Sequence, residues 1–248
     1  MDFIILILIK CIILLNKRSG IFITGTDTNI GKTLVSASLA WKLSLSLDKI
    51  CIMKPFATSN KIFSNKFKSK DVYLLTKSIK LKENPDLLNP YFYKIAASPF
   101  MASKILNEKP PSIKIAFEKY MILKKKYGYV IVEGIGGIMV PINEKYNLID
   151  FIKLTNLSLI IVATPKVGTI NHILLTIELC KNYDIPIIGL IFNKMPLKPS
   201  IVEEKTPSFV EKLTKIPVLA TIPTFINLKF NDPFLKKISD LIDDKLIK

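Results

Sequence analysis

The sequence predicts an α/β fold: one domain built on a doubly wound, mostly parallel sheet with helices on both faces. Two observations predict it. Short, continuously apolar, β-branched runs recur along the chain, as parallel strands buried on both faces require. Longer stretches of helical character separate them, which is the rhythm of βαβ units. The chain has 248 residues, 49% of them hydrophobic and 23% charged. That is enough for one sizeable core, and it excludes disordered and fibrous classes.

Taken in order, the expected strands are Ile21–Thr24, Ile50–Met53, Tyr129–Val132, Leu159–Ala163, Pro186–Phe192 and Val218–Thr221. The expected helices are Lys32–Leu47, Ile113–Lys125, Thr169–Asn182 and Ile201–Leu213. Ahead of the first strand, residues 1–17 form an apolar extension broken by Lys10. Its apolar run is shorter than the ~20 residues of a membrane span, and it lacks the basic start and small-residue cleavage site of a signal peptide. The expected domain therefore occupies residues 18–248. The net charge of +16 comes from lysines spread along the chain, which reads as a solvated surface and not a nucleic-acid face. Neither nucleic acid nor a membrane is an expected partner. Cys11, Cys51 and Cys180 are too few and too far apart for a disulfide framework or a zinc site, so a reducing, cytoplasmic setting is expected.

The strongest motif is Gly25-Thr26-Asp27-Thr28-Asn29-Ile30-Gly31-Lys32-Thr33, between an expected strand and an expected helix. That context is the one a phosphate-binding P-loop needs, so the fold is expected to be P-loop NTPase-like. Glycines let the backbone approach a phosphate, and the amides of Asn29 to Leu34 at the helix start face the anion. Lys32 is expected to reach the β- and γ-phosphates of ATP, and Thr33 to offer its hydroxyl to Mg²⁺. Five residues separate Gly25 from Gly31, so Thr26 holds the position of the usual first glycine.

Other residues fall at expected strand ends, where ligands bind in such sheets. Lys54 adds a second cation. Glu133 at such an end, and Asp71 in a Lys-rich stretch where it could also be a helix-start acid, add two hard oxygen donors beside Thr33, a sufficient protein set for Mg²⁺. Gly134, Gly136 and Gly137 follow Glu133 and allow close approach of a ligand. Gly168, Thr169 and Asn171 open a helix after a strand, a natural anion site. Asn193-Lys194-Met195-Pro196 imitates a guanine-reading motif, but Pro196 stands where the carboxylate is needed, so Asn193 is expected at adenine instead. His172 is expected to pack or cap near its helix start.

The wording of these motifs resembles the dethiobiotin synthetase family. Thr24-Gly25-Thr26-Asp27-Thr28-x-x-Gly31-Lys32-Thr33 matches its opening signature, and Met53-Lys54-Pro55, Asn89-Pro90-Tyr91, Ala97-Ser98-Pro99, Val132-Glu133-Gly134-Ile135-Gly136-Gly137 and Lys166-Val167-Gly168-Thr169-Ile170-Asn171-His172 follow in order. Phe100 and Thr224 depart from the family pattern. The resemblance implies an ATP-dependent ligase of biotin biosynthesis. It closes a ureido ring on 7,8-diaminopelargonic acid with CO₂, through a carbamate and a carbamic–phosphoric anhydride, and gives dethiobiotin, ADP and phosphate. It places Thr28 and Thr58 at the carbamate, Asn193, Ile222 and Pro223 at the base, and the Gly168–Asn171 segment in the active site of a second subunit, hence a homodimer. The competing reading is a partition-type ATPase switch on a related fold, binding membrane or nucleoid. It loses weight because Thr26-Asp27-Thr28 replaces the early lysine of such loops.

Overall fold

Strands without polar alternation need cover on both faces, and the chain folds accordingly in the computed structural model, which describes residues 20–243. The 1–17 extension and Cys11 lie outside the described residues. Six strands form the main sheet in the order β2 (Ile50–Met53), β5 (Tyr129–Glu133), β1 (Gly20–Gly25), β6 (Ser158–Ala163), β7 (Ile187–Met195) and β8 (Val218–Pro223). Every neighbouring pair is parallel. All six expected strands are present. The expected Pro186–Phe192 strand starts one residue later and runs on to Met195.

Parallel neighbours need crossovers, and helices supply them. The expected helices occur as α1 (Lys32–Ser44), α5 (Ile113–Tyr127), α7 (Thr169–Asn182) and α8 (Ile201–Thr214). Helix α1 stops short of the expected Leu47, at Ser44. Five further helices occur among the described residues: α2 (Lys70–Ser78), α3 (Pro85–Leu88), α4 (Pro99–Ile105), α6 (Leu148–Thr155) and α9 (Asp232–Ser239).

Alternate residues of each strand enter opposite cores. Phe22, Met53, Val130 and Val132 pack with Tyr120 and Leu123 of α5, Phe151 of α6 and Ile177 of α7. Ile21, Ile23, Ile52 and Ile131 pack with Val35 and Leu39 of α1 and Leu235 of α9 on the other face. Each such buried side chain contributes about 1.5–3 kcal/mol, so this two-sided burial holds the sheet edge rigidly. Cys51 and Cys180 are fully buried, as expected of packing residues, and burial pushes both thiols up to about 12. No helix among the described residues is long and apolar enough to cross a membrane.

A second element was invisible in the apolar pattern. β3 (Phe56–Thr58) and β4 (Tyr91–Tyr93) pair in parallel as a separate small sheet. It starts just after Lys54-Pro55 and helps hold that segment beside the main sheet.

Candidate functional site

The chain turns from β1 into α1 through residues 26–31, and local sterics explain the glycines. A Cβ on Gly25 would lie 2.4 Å from Ile30 Cδ1. Gly31 has φ +89°, and a Cβ there would lie 2.0 Å from Asn193 Nδ2. Among the described residues no acceptor meets the amides of Asn29, Ile30, Gly31, Lys32 or Thr33, while Leu34 and Val35 already bond back to Gly31 O. Five consecutive free amides at a helix start form an anion cradle. Lys32 Nζ lies within the loop and donates to Asp27 O at 2.7 Å.

Two strand ends and one helix start bring the remaining chemistry to this loop. Glu133 ends β5 beside β1 and is fully buried. Its Oε1 accepts from Thr33 Oγ1 at 2.9 Å and from Lys54 Nζ at 2.5 Å. Lys54 follows β2 and is 6% exposed, and its ammonium also lies 2.8 Å from Asp71 Oδ2 in the first turn of α2. Asp71 is thus both the helix-start acid that its position suggests and a member of the site.

Lys54 is held through its backbone. Its amide donates to Leu88 O at 2.9 Å, and Asn89 Nδ2 donates to Lys54 O at 2.8 Å and to Tyr91 O at 3.0 Å. Tyr91 N then donates to Pro55 O at 3.1 Å. The Asn89-Pro90-Tyr91 motif is therefore a clamp on the Lys-Pro segment.

The charges sort themselves by surroundings. Burial, and then the positive charge of Lys54, lower the Lys32 ammonium to about 8. Burial acts the same way on Lys54, but the Glu133 and Asp71 carboxylates outweigh it and raise Lys54 above its ordinary value. Lys54 in turn holds Asp71 below the usual carboxylate range, against the opposing effect of burial.

Glu133 Oε2 is buried with no hydrogen-bond partner. A buried carboxylate oxygen without a partner is costly, and a cation removes the cost. Among the described residues no group of three or more His, Cys, Asp and Glu side chains gathers, so soft or all-protein metal sites are not offered. Two carboxylates and a hydroxyl, completed by phosphate and water oxygens, suit Mg²⁺. Thr33, Asp71 and Glu133 fit that ion.

The other expected residues divide. Gly136 has φ +56° and lies against Thr28, and Gly137 lies against Gly25 O, so the glycine loop after β5 borders the phosphate loop. Gly134 is required by packing, since a Cβ would meet Leu148 and Phe22 at 3.0 and 3.1 Å. Thr28 and Asn29 are exposed at the loop surface, while Ile30 and Leu34 are buried in the core. The Ile222 side chain is also core, while Pro223, half-buried, ends β8. Asn193 is buried and donates through Nδ2 to Ile30 O at 2.8 Å. Thr58 ends β3, and neither it nor Gly168, Thr169 or Asn171 shares a hydrogen bond with Lys54, Asp71 or Glu133. Just ahead of the Gly168 segment, the Lys166 ammonium lies 4.0 Å from Asp27 Oδ2. His172 is exposed, and its helix start has no side-chain cap hydrogen bond, so of the expected packing or capping neither is seen. Sequence reasoning assigned no role to Asn89, Lys166 or Lys194. Asn89 was flagged by its motif, but its 35-residue reach to Lys54 carries no local signal.

Fold and site together define a P-loop nucleotide-binding protein of the parallel α/β class. A family model described as an AAA domain matches residues 19–231. The chain is 38% identical to the ATP-dependent dethiobiotin synthetase BioD of Nitrosopumilus maritimus over 88% of this chain and 96% of that one. It is 36% identical to the enzyme of that name from Clostridium kluyveri, covering 86% and 89%, and 32% identical to that of Bacillus subtilis, covering 92% and 96%. The chain belongs to the ATP-dependent dethiobiotin synthetase family. Among solved structures, the MinD cell division protein of Aquifex aeolicus superposes with a TM-score of 0.54 at 16% identity, over 92% of this chain and 95% of that one. At that identity the likeness is one of fold alone.

Proposed function

We propose that this chain catalyses the ATP- and Mg²⁺-dependent closure of 7,8-diaminopelargonic acid with CO₂ to dethiobiotin, ADP and phosphate, as a ligase of biotin biosynthesis. The observation that carries this reading is the junction of Lys54, Asp71, Glu133 and Thr33 beside the phosphate loop. Phosphoryl transfer asks for position and positive charge more than for covalent help. The free amides of residues 29–33 and the Lys32 ammonium bind the β- and γ-phosphates. Lys54 directs a fixed positive charge toward the anionic carbamate and the transferring phosphoryl group. Thr28 and Thr58 hold the carbamate. Asn193, Ile222 and Pro223 border the base.

Thr33, Asp71 and Glu133 would hold Mg²⁺. Bound there, it neutralises phosphate charge. The Thr33 hydroxyl keeps its lone pairs available because its proton is already given to Glu133.

The substrate carboxylate is read at Gly168, Thr169 and Asn171 of a second copy. Val167 just before them is 86% exposed, and Leu174 and Leu175 of the same helix are exposed as well. An apolar ridge of this kind suits burial in a homodimer. Buried free thiols and a small-molecule substrate fit a cytoplasmic setting.

Product analysis tests the proposal. Protein supplied with ATP, Mg²⁺, bicarbonate and 7,8-diaminopelargonic acid should give dethiobiotin and ADP in equal amounts, and Lys32→Ala should suppress both. ADP release that ignores the diamine and yields no dethiobiotin would refute it.

A further inference from the structure

Aiming five amides at one anion turns the carbonyls of the same loop outward, where donors can hold them. Three have them. Asp27 O takes Lys32 Nζ at 2.7 Å, Ile30 O takes Asn193 Nδ2 at 2.8 Å, and Asn29 O takes Lys194 Nζ. The Lys32 contact must be given up when that ammonium turns to a phosphate. The other two need not change.

Both of those donors come from consecutive residues near the end of β7, which runs past its last pairing with β6 at Phe192 to deliver them. The backbone around the contacts is unusual. Asn29 has φ +55° and Lys194 φ +60°, a region that costs side-chain-bearing residues energy unless the surroundings enforce it. Thr224 N donates to Met195 O at 2.7 Å and anchors the turn that carries Lys194. Gly31 leaves the space in which the Asn193 amide sits. Two left-handed positions in separate segments thus meet at one hydrogen bond.

We propose that Lys194 is a positioning residue of the phosphate loop. With Asn193 it keeps the carbonyls of Asn29 and Ile30 turned away from the anion, so that the amides stay aimed at a triphosphate whichever base it carries. The inference rests on reading residues 25–33 as the triphosphate loop, and it extends Asn193 beyond contact with a base.

The probe is inorganic tripolyphosphate with Mg²⁺, compared with ATP and GTP by calorimetry. Lys194 is exposed, so Lys194→Met should keep its melting temperature. Lys194→Met is expected to weaken all three ligands by the same factor, about tenfold for a lost charge-assisted hydrogen bond. Lys194→Arg should recover most of that loss. Unchanged tripolyphosphate affinity in Lys194→Met overturns the inference, even where ATP binding falls. Lys32→Ala separates the two ideas. Should it also leave tripolyphosphate affinity intact, the loop reading fails and the inference with it. Should Lys32→Ala lose the affinity while Lys194→Met keeps it, only the inference fails.

Discussion

Lys54 and Glu133, 79 residues apart, form a buried ion pair at 2.5 Å, with the carboxylate fully enclosed and the ammonium nearly so. Neither charge is stable there alone, because each has lost its water. The same carboxylate accepts from Thr33, so the pair locks the start of α1 to the end of β2 through β5. The pair therefore serves the fold and the chemistry together.

That coupling makes a specific stability prediction. Lys54→Met leaves Glu133 buried without its nearest cation and is expected to cost about 3–5 kcal/mol in denaturant unfolding. Adding Glu133→Gln removes the stranded charge, so the double variant should be more stable than Lys54→Met while remaining inactive. Simple additivity of the two single losses in a double-mutant cycle would show that the pair is not energetically coupled.

Lys32 gives a pH dependence whose sign is fixed. Burial, helped by Lys54, lowers its ammonium to about 8 in the free protein. A bound triphosphate supplies negative charge and raises it again. Binding therefore takes up a proton at and above pH 8, and ATP affinity should fall as pH rises past 8, by up to about tenfold per unit. Calorimetry at pH 8.5 in two buffers of different ionisation enthalpy measures that uptake directly. The same shift acts on folding in the opposite sense. The unfolded chain binds the Lys32 proton more tightly, so this residue's contribution to stability improves between pH 8 and the unperturbed lysine value of 10.5. Lys32→Met should abolish the proton uptake.

Much of this site was legible in the order of residues. Gly25 to Thr33 declared itself because a glycine-rich loop between an apolar strand and a helix has few other uses. Glu133 was legible as a charge at the end of an apolar run, a place where burial must be compensated. Short or polar elements were not. β3 and β4 have three residues each, too few for any period to register, and α2 lies in a Lys-rich stretch. Helices α6 and α9 did carry signals, Asn147 with Asp150 as a capping box and Asn231 before Pro233, and these were passed over. Contacts such as Lys194 to Asn29 or Asn89 to Lys54 join distant segments, and no local pattern encodes them.

Asn89 shows how such a contact can be tested. Its amide donates both protons, to Lys54 O and Tyr91 O, and so fixes the main chain from which the Lys54 side chain projects. Asn89→Ala takes a donor from each of two carbonyls and lets the Lys-Pro segment relax, at a cost of about 1–3 kcal/mol in stability. Because Asn89 lies behind Lys54 and not at the phosphate loop, the KM for ATP should change little. A small displacement of a charge that acts on the transition state lowers kcat instead, by about tenfold or more. Asn89→Asp is close in shape but has no amide protons to donate, so it should resemble Ala in kcat. A merely space-filling role for Asn89 predicts the reverse: Asp would keep full kcat, and the loss in Ala would follow stability alone.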